Sequence, residues 1–153
     1  MTTDESEGYI EKYDDMFTEA IRLKSFQKWP FGDDAKCSAA KMAEAGFFHC
    51  PNETELDSVQ CYVCFKELDG WDASDEPWAE HLSHSKICVF AKIGKPQKDL
   101  TAKEVFRIEM ERKVNKNKRI TAQLLYDFRK MSEEAEDFFV EMMEKTESER
   151  KKK

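Results

Sequence analysis

The 153-residue chain is long enough for one domain and an accessory element; 40% of it is hydrophobic, supporting a modest core, and 37% is charged, which points to a long solvated helix. Its net charge of −7 is unevenly divided: residues 1–97 hold 10 Lys and Arg against 19 Asp and Glu, residues 98–153 hold 15 against 13, and the acidic front part would repel nucleic-acid phosphates. No apolar run approaches a membrane span, no secretory hydrophobic region is visible, and Thr2 excludes myristoylation, so no membrane association is expected.

Residues 1–8 are polar and acidic and are expected to be disordered. From Tyr9 to Phe26 the apolar spacing is helical, and Trp29-Pro30-Phe31 ends it. Ser38 as N-cap and Gly46 just past the end frame a short helix over 38–45. Phe47 to Cys50 and Val59 to Tyr62 read as short strands, with a third expected near Asp69 to Trp71 to complete a small antiparallel sheet. Asp75-Glu76-Pro77 opens a further helix, with Pro at its first position and acids beside the positive dipole end. Gly94 and Pro96 close this region, which makes 9–95 one α+β domain.

Residues 98–149 contain neither Pro nor Gly, so 96–149 is read as one long helix ending in a basic tail, 150–153. Met110, Leu124, Met131 and Phe138 share one heptad position; Val114, Phe128, Ala135 and Met142 share a second; Asn117 and Thr121 interrupt the seam. A helix of about 50 residues is roughly 75 Å long, too long to bury its stripe on a domain of this size. Leu125, Phe139 and Met143 widen the apolar face beyond a two-stranded seam, which fits a bundle of three or more helices.

The strongest chemical signal lies between residues 61 and 88. Five cysteines is an odd count, and Cys61 and Cys64 are spaced as metal ligands, so reduced thiols in cytosol or nucleus fit better than disulfides. Cys88 supplies a third sulfur, and a tetrahedral S/N site with four protein ligands points to one structural Zn2+. Spacing alone leaves the fourth ligand open. His84 lies one helical turn from Cys88, whereas His81 is seven residues away and serves only if the helix ends between them, for example near Ser85. His49 and Cys50 are competing ligands, with Cys50 reading as a buried small residue. The segment 66–80 also carries Glu67, Asp69, Asp72, Asp75, Glu76 and Glu80, with Trp71 and Trp78 interleaved. Some of these acids belong to a solvated loop and a helix start; a Trp among carboxylates also suits a cationic peptide.

Arg22, Phe26-x-x-Trp29-Pro30, Met42-AEAGFFHC-Pro51 and Cys61-x2-Cys64-x16-His81-x6-Cys88 together resemble a baculoviral IAP repeat (BIR) domain over about 17–90. A single repeat followed by a long helix is similar to the survivin-type branch of the inhibitor-of-apoptosis family. The resemblance implies Cys61, Cys64, His81 and Cys88 as ligands, which releases His84. It also implies a peptide site for a free N-terminal Ala, with Asp69, Asp75 and Glu80 receiving the ammonium, Leu68 and Trp71 shaping the methyl pocket, and Lys66 and His84 meeting a phosphate on the third residue. That ligand is similar to the start of the histone H3 tail, Ala-Arg-Thr-Lys, phosphorylated on Thr. Asp69 is shorter than the expected Glu, and Ser74 stands where an acid is expected; Glu55 is placed to compensate.

By the same resemblance the long helix joins borealin-like and inner-centromere-protein-like helices through Leu124, Phe128, Met131, Ala135, Phe138 and Met142. That makes the chain a chromosomal passenger scaffold that brings an Aurora-type kinase to centromeres and the spindle midzone, with a cytoplasmic pool. A homodimer of the unpartnered chain would use Ile93 to Phe106 with Phe17. Basic clusters at Lys113–Arg119 and Arg150–Lys153 are solvated faces or phosphate contacts. The alternative implied role is inhibition of apoptosis through caspases or Ala-starting antagonist peptides. No Ser-His-Asp set, open metal position or second Cys/His cluster is visible, so no catalysis is expected.

Overall fold

The computed structural model describes residues 14–151; the expectation of disorder over 1–8 and the start of the helix at Tyr9 lie outside them. A 3-10 turn, Asp14–Phe17, leads into α1, Glu19–Ser25, and a second 3-10 turn, Phe26–Lys28. The single helix expected up to Phe26 is thus broken: Thr18 is extended at ψ 123 and caps α1 afresh. α2 follows at Ala39–Glu44, then β1 Phe47–His49, β2 Val59–Cys61 and β3 Glu67–Leu68. α3 spans Pro77–His84, α4 Val89–Ile93, a 3-10 turn Gln97–Asp99, and α5 Ala102–Arg150.

The strands form one antiparallel sheet in the order β1-β2-β3, with Phe47 opposite Cys61 and Val59 opposite Leu68. The third strand comes earlier than Asp69 to Trp71. Gly70, at φ 71, turns the chain away from the sheet, and the Trp71 N–H goes to Asp57 Oδ2 at 2.7 Å instead of to a strand. Gly46 ends α2 as expected, at φ 92, and any Cβ there would sit 2.8 Å from the Phe90 ring. Phe47, Phe48, Val59, Met42 and Phe90 form the centre of the core. His49 is a core histidine: its ring stacks on Phe26 at 5.6 Å, and Nε2 donates to Leu56 O at 2.8 Å.

The compact unit that carries the sheet runs through Lys116 and includes the first turns of α5, where Ile108 is buried. Thr101 and Glu104 cap that helix start reciprocally, and Lys95 adds a 2.7 Å contact to Glu104 that holds its carboxyl at about 2. The second unit, from Asn117, is helix α5 alone among the described residues.

Arg22 lies fully buried at the centre of the N-terminal elements. It donates to Ala43 O at 3.0 Å and to Met16 O and Phe17 O at 2.9 Å, and its guanidinium lies 4.3 Å from the Tyr62 ring centroid. One nitrogen, Nη2, has no partner, and burial lowers the pKa of the group. The charge is therefore held by three carbonyls and an aromatic face without a carboxylate. Arg22→Ala removes a donor from all three carbonyls, of which Ala43 O keeps the Gly46 N–H at 3.2 Å, and chemical denaturation should show a loss on the order of 3 kcal/mol. Arg22→Lys cannot reproduce the planar fork and should recover less than half of it; a loss under about 1 kcal/mol for Ala would contradict this role.

Candidate metal centre and acidic face

The residues between Cys61 and Cys64 form a tight knuckle at the end of β2. The Val63 N–H points at Cys61 Sγ at 3.3 Å, the Phe65 N–H donates to Cys61 O at 3.0 Å, and the Cys61 N–H to Lys66 O at 3.0 Å. Phe65 takes φ 57, an uncommon conformation for a side chain of that size, and this reverses the chain into β3. From the other side, α3 presents His81 on its buried face and ends at His84. Ser85, at φ −139, breaks the helix, and Cys88 becomes the N-cap of α4. The eight residues from His81 to Cys88 therefore never form one continuous helix, and the distance that counted against His81 disappears.

The ligand atoms of Cys61, Cys64, His81 and Cys88 all lie within 4.8 Å of one another. Cys64 Sγ is 3.6 Å from His81 Nε2. His81 Nδ1 donates to Ala45 O at 2.9 Å, which fixes the tautomer and leaves Nε2 as the metal-facing atom. Burial pushes the Cys61 thiol up. Hydrogen bonds from Cys61 and Cys88 pull Cys64 strongly down, with His81 and the Ser85 side chain helping, while Cys61, Cys64 and burial push Cys88 up against an opposing contact from His81. Burial alone would lower His81, but Cys64 and Cys88 raise it to about 9. Three sulfurs and an imidazole are thus crowded around shared protons, and one divalent cation would replace those protons. The donor set, three S and one N with no open position, fits a structural zinc ion. His49 and Cys50 lie outside this cluster: His49 bonds Leu56, and Cys50 Sγ sits 3.9 Å from Ser58 Oγ.

The remaining candidates lie around β3 and α3. Lys66 and Asp69 are exposed, Leu68 is buried, and Trp71 is buried with its Nε1 unpartnered. The Trp71 ring meets Phe47 edge-on at 5.7 Å. Asp75 Oδ2 accepts from the Asp72 N–H at 2.8 Å, so part of its capacity is used locally. Glu80 is half-buried and His84 exposed, one turn apart on α3, with His84 Nδ1 3.5 Å from Glu80 Oε2. Ser74 N–H and Oγ both bond Asp72 Oδ1, which lowers the Asp72 pKa. Glu55 is exposed in the loop before Asp57.

Sequence reasoning missed the residues that position this face. Asp57 holds the Trp71 main chain, while Lys36 N–H and Cys37 Sγ donate to Ala73 O at 2.8 Å and Asp72 O at 3.2 Å. Only an Asp next to a strand hinted at the first, and nothing marked the others.

The family model "Inhibitor of Apoptosis domain" (BIR) matches residues 22–92, the segment that holds all four ligands and every acidic-face candidate. "Baculoviral IAP repeat-containing protein 5" of Mus musculus is 43% identical over 101 residues, 66% of this chain and 72% of that protein. The chain belongs to the inhibitor-of-apoptosis family, as a single-BIR protein of survivin type. The Rattus norvegicus protein of the same name as the mouse relative is 44% identical over 66% of this chain and 71% of that protein, and "Baculoviral IAP repeat-containing protein 5.2" of Xenopus tropicalis is 44% identical over 61% and 60%. The small BIR fold, with three antiparallel strands, short helices and one long C-terminal helix, is the architecture described above.

The assignment of His81 is tested by metal content. His81→Ala should lose the zinc and the cooperative unfolding transition, and His84→Ala should keep one zinc per chain. Stoichiometric metal in the first variant would overturn the ligand set.

Proposed function

We propose that this BIR protein is a non-catalytic reader of the histone H3 N-terminal tail phosphorylated on Thr, and the scaffold helix of a chromosomal passenger complex. The observation that carries the reading is the pairing of Glu80 with the exposed His84 across one turn of α3. A carboxylate suited to a free ammonium and an imidazole suited to a phosphate stand side by side, and Asp69 and Lys66 are exposed as well. A zwitterionic ligand of the Ala-Arg-pThr type complements that order of charges. Leu68 and Trp71 supply the apolar wall for the Ala methyl, and Asp75 is a second acceptor for the amine. Zinc at Cys61, Cys64, His81 and Cys88 keeps the walls in place.

The second half of the reading rests on α5. Leu124, Phe128, Met131, Ala135, Phe138 and Met142 are all exposed, the large ones by 49–70%. Borealin-like and inner-centromere-protein-like helices would cover this stripe and connect the chain to an Aurora-type kinase at centromeres and the spindle midzone. In the unpartnered chain, the exposed Phe106 with the half-buried Ile93 and Phe17 offers a homodimer contact. Family membership keeps inhibition of apoptosis, through caspases or Ala-starting antagonists, as the second reading. The same ammonium acceptors would serve it, without a role for His84.

Calorimetric titration with ARTKQ peptide, with and without Thr phosphate, separates the two. The phosphate should strengthen binding by about tenfold or more through charge-assisted hydrogen bonds, and His84→Ala should remove most of that gain. Equal affinity for the two peptides would sink the reader model. Phe128→Glu combined with Phe138→Glu should abolish copurification with the partner helices while one zinc per chain is retained; unchanged copurification would remove the bundle from the proposal.

A further inference from the structure

The metal knuckle is touched by one residue from far along the chain. Asn115, on α5, donates from Nδ2 to the main-chain oxygen of Val63 at 3.1 Å, across 52 residues of sequence. Val63 stands between Cys61 and Cys64 and is fully buried, and its own N–H is already directed at Cys61 Sγ. Its carbonyl belongs to the peptide group that leads into Cys64. The orientation of that peptide plane sets where the Cys64 side chain points. Cys64 is also the only one of the four ligands that is half-exposed, so burial holds it least.

The contact is part of a continuous docking face. Asn115 is two helical turns from Ile108, the buried residue of α5, and so lies on the same side of the helix. Glu109 follows Ile108 on α5. Arg112 binds Glu109 at 3.1 Å and holds it in this row. An apolar side chain at position 115 would extend the buried row begun by Ile108 but would leave the Val63 carbonyl without a donor.

We infer that Asn115 is a positioning residue for the metal ion: its carboxamide locks the Val63–Cys64 peptide, steadies the most exposed thiolate and slows loss of the ion. The inference rests on the metal reading of the Cys3His cluster. Linkage makes the effect reciprocal, so a bound ion also holds the 108–116 segment of α5 on the knuckle.

The test uses the full chain loaded with zinc. Zinc transfer to a chromogenic chelator is followed in Asn115→Asp, which is isosteric but has no donor, and in Asn115→Ala, which guards against misfolding of the charged variant. Ile108→Val loosens the same face without touching the carbonyl, and Asn117→Asp is an exposed control. Outer partners of metal ligands typically change metal affinity by about tenfold or more, so both Asn115 variants should release zinc about tenfold faster. Amide exchange over 61–66 should quicken with it, while both controls stay within about twofold of wild type. A wild-type rate in both Asn115 variants, or an equal acceleration in Ile108→Val, overturns the inference. A wild-type chain that holds no stoichiometric zinc overturns the metal reading and this inference together, which separates that failure from one confined to Asn115.

Discussion

The whole compact unit depends on one crowding: three sulfurs and an imidazole nitrogen held within 4.8 Å. Water-filled separation would be the default for four ionisable groups, and burial here penalises each thiolate singly. A divalent cation turns the mutual repulsion of the thiolates into coordination. The backbone is bent to meet it at three places: Phe65 goes left-handed after Cys64, Ser85 breaks α3, and Cys88 starts α4. Each bend costs something locally, on the order of 1 kcal/mol for a left-handed Phe. In a domain with a modest core, a metal held by these four residues would outweigh such costs many times over.

That constraint reaches the acidic face through packed rings. The Phe47 ring lies 4.7 Å from the His81 ring and 5.7 Å from Trp71. His81, Phe47 and Trp71 therefore form one row of packed rings, and a shift of the Cys3His cluster would move Trp71 through contacts that leave little room for slippage. The acids divide along the same lines. Asp57, Asp72 and Asp75 accept main-chain or side-chain hydrogen bonds that shape the loop, whereas Asp69 and Glu80 stand toward solvent or His84. Only part of the negative charge counted in the sequence is therefore available to a cationic ligand.

The division also explains which features could be read from sequence. Gly46, Pro77 and the Cys-x-x-Cys pair announce backbone geometry through their own chemistry, so the helices they bound and the knuckle were legible. The heptad stripe was legible because it repeats. The position of β3 was not, since it is decided by an Asp57 carboxylate fourteen residues from the amide it captures. Nor was the choice between His81 and His84 legible from spacing, because it turns on the φ of Ser85 and on a carbonyl at Ala45 that receives the imidazole N–H. The break at Thr18 was hidden by apolar residues whose helical spacing continues across it. Contacts made by main-chain atoms leave no residue-type signature, and Asn115 on Val63 is the extreme case.

α5 has two apolar sides with different uses. Ile108 is buried and Asn115 reaches the knuckle, while Met110 and Val114, within the same turns, are 48% and 43% exposed. On a helical projection Met110 and Val114 lie well over a right angle from Ile108, on the side that continues into Leu124, Phe128 and Met131. The compact unit has thus already taken one side of the helix in its first turns, and the exposed stripe begins there on the other. Asn117 and Thr121 interrupt that stripe just after the docked face ends, so the polar gap separates an intramolecular seat from a longer seam. Ile108 is a fully buried side chain whose exposure would cost about 1.5–3 kcal/mol, which holds the first turns of α5 on the compact unit.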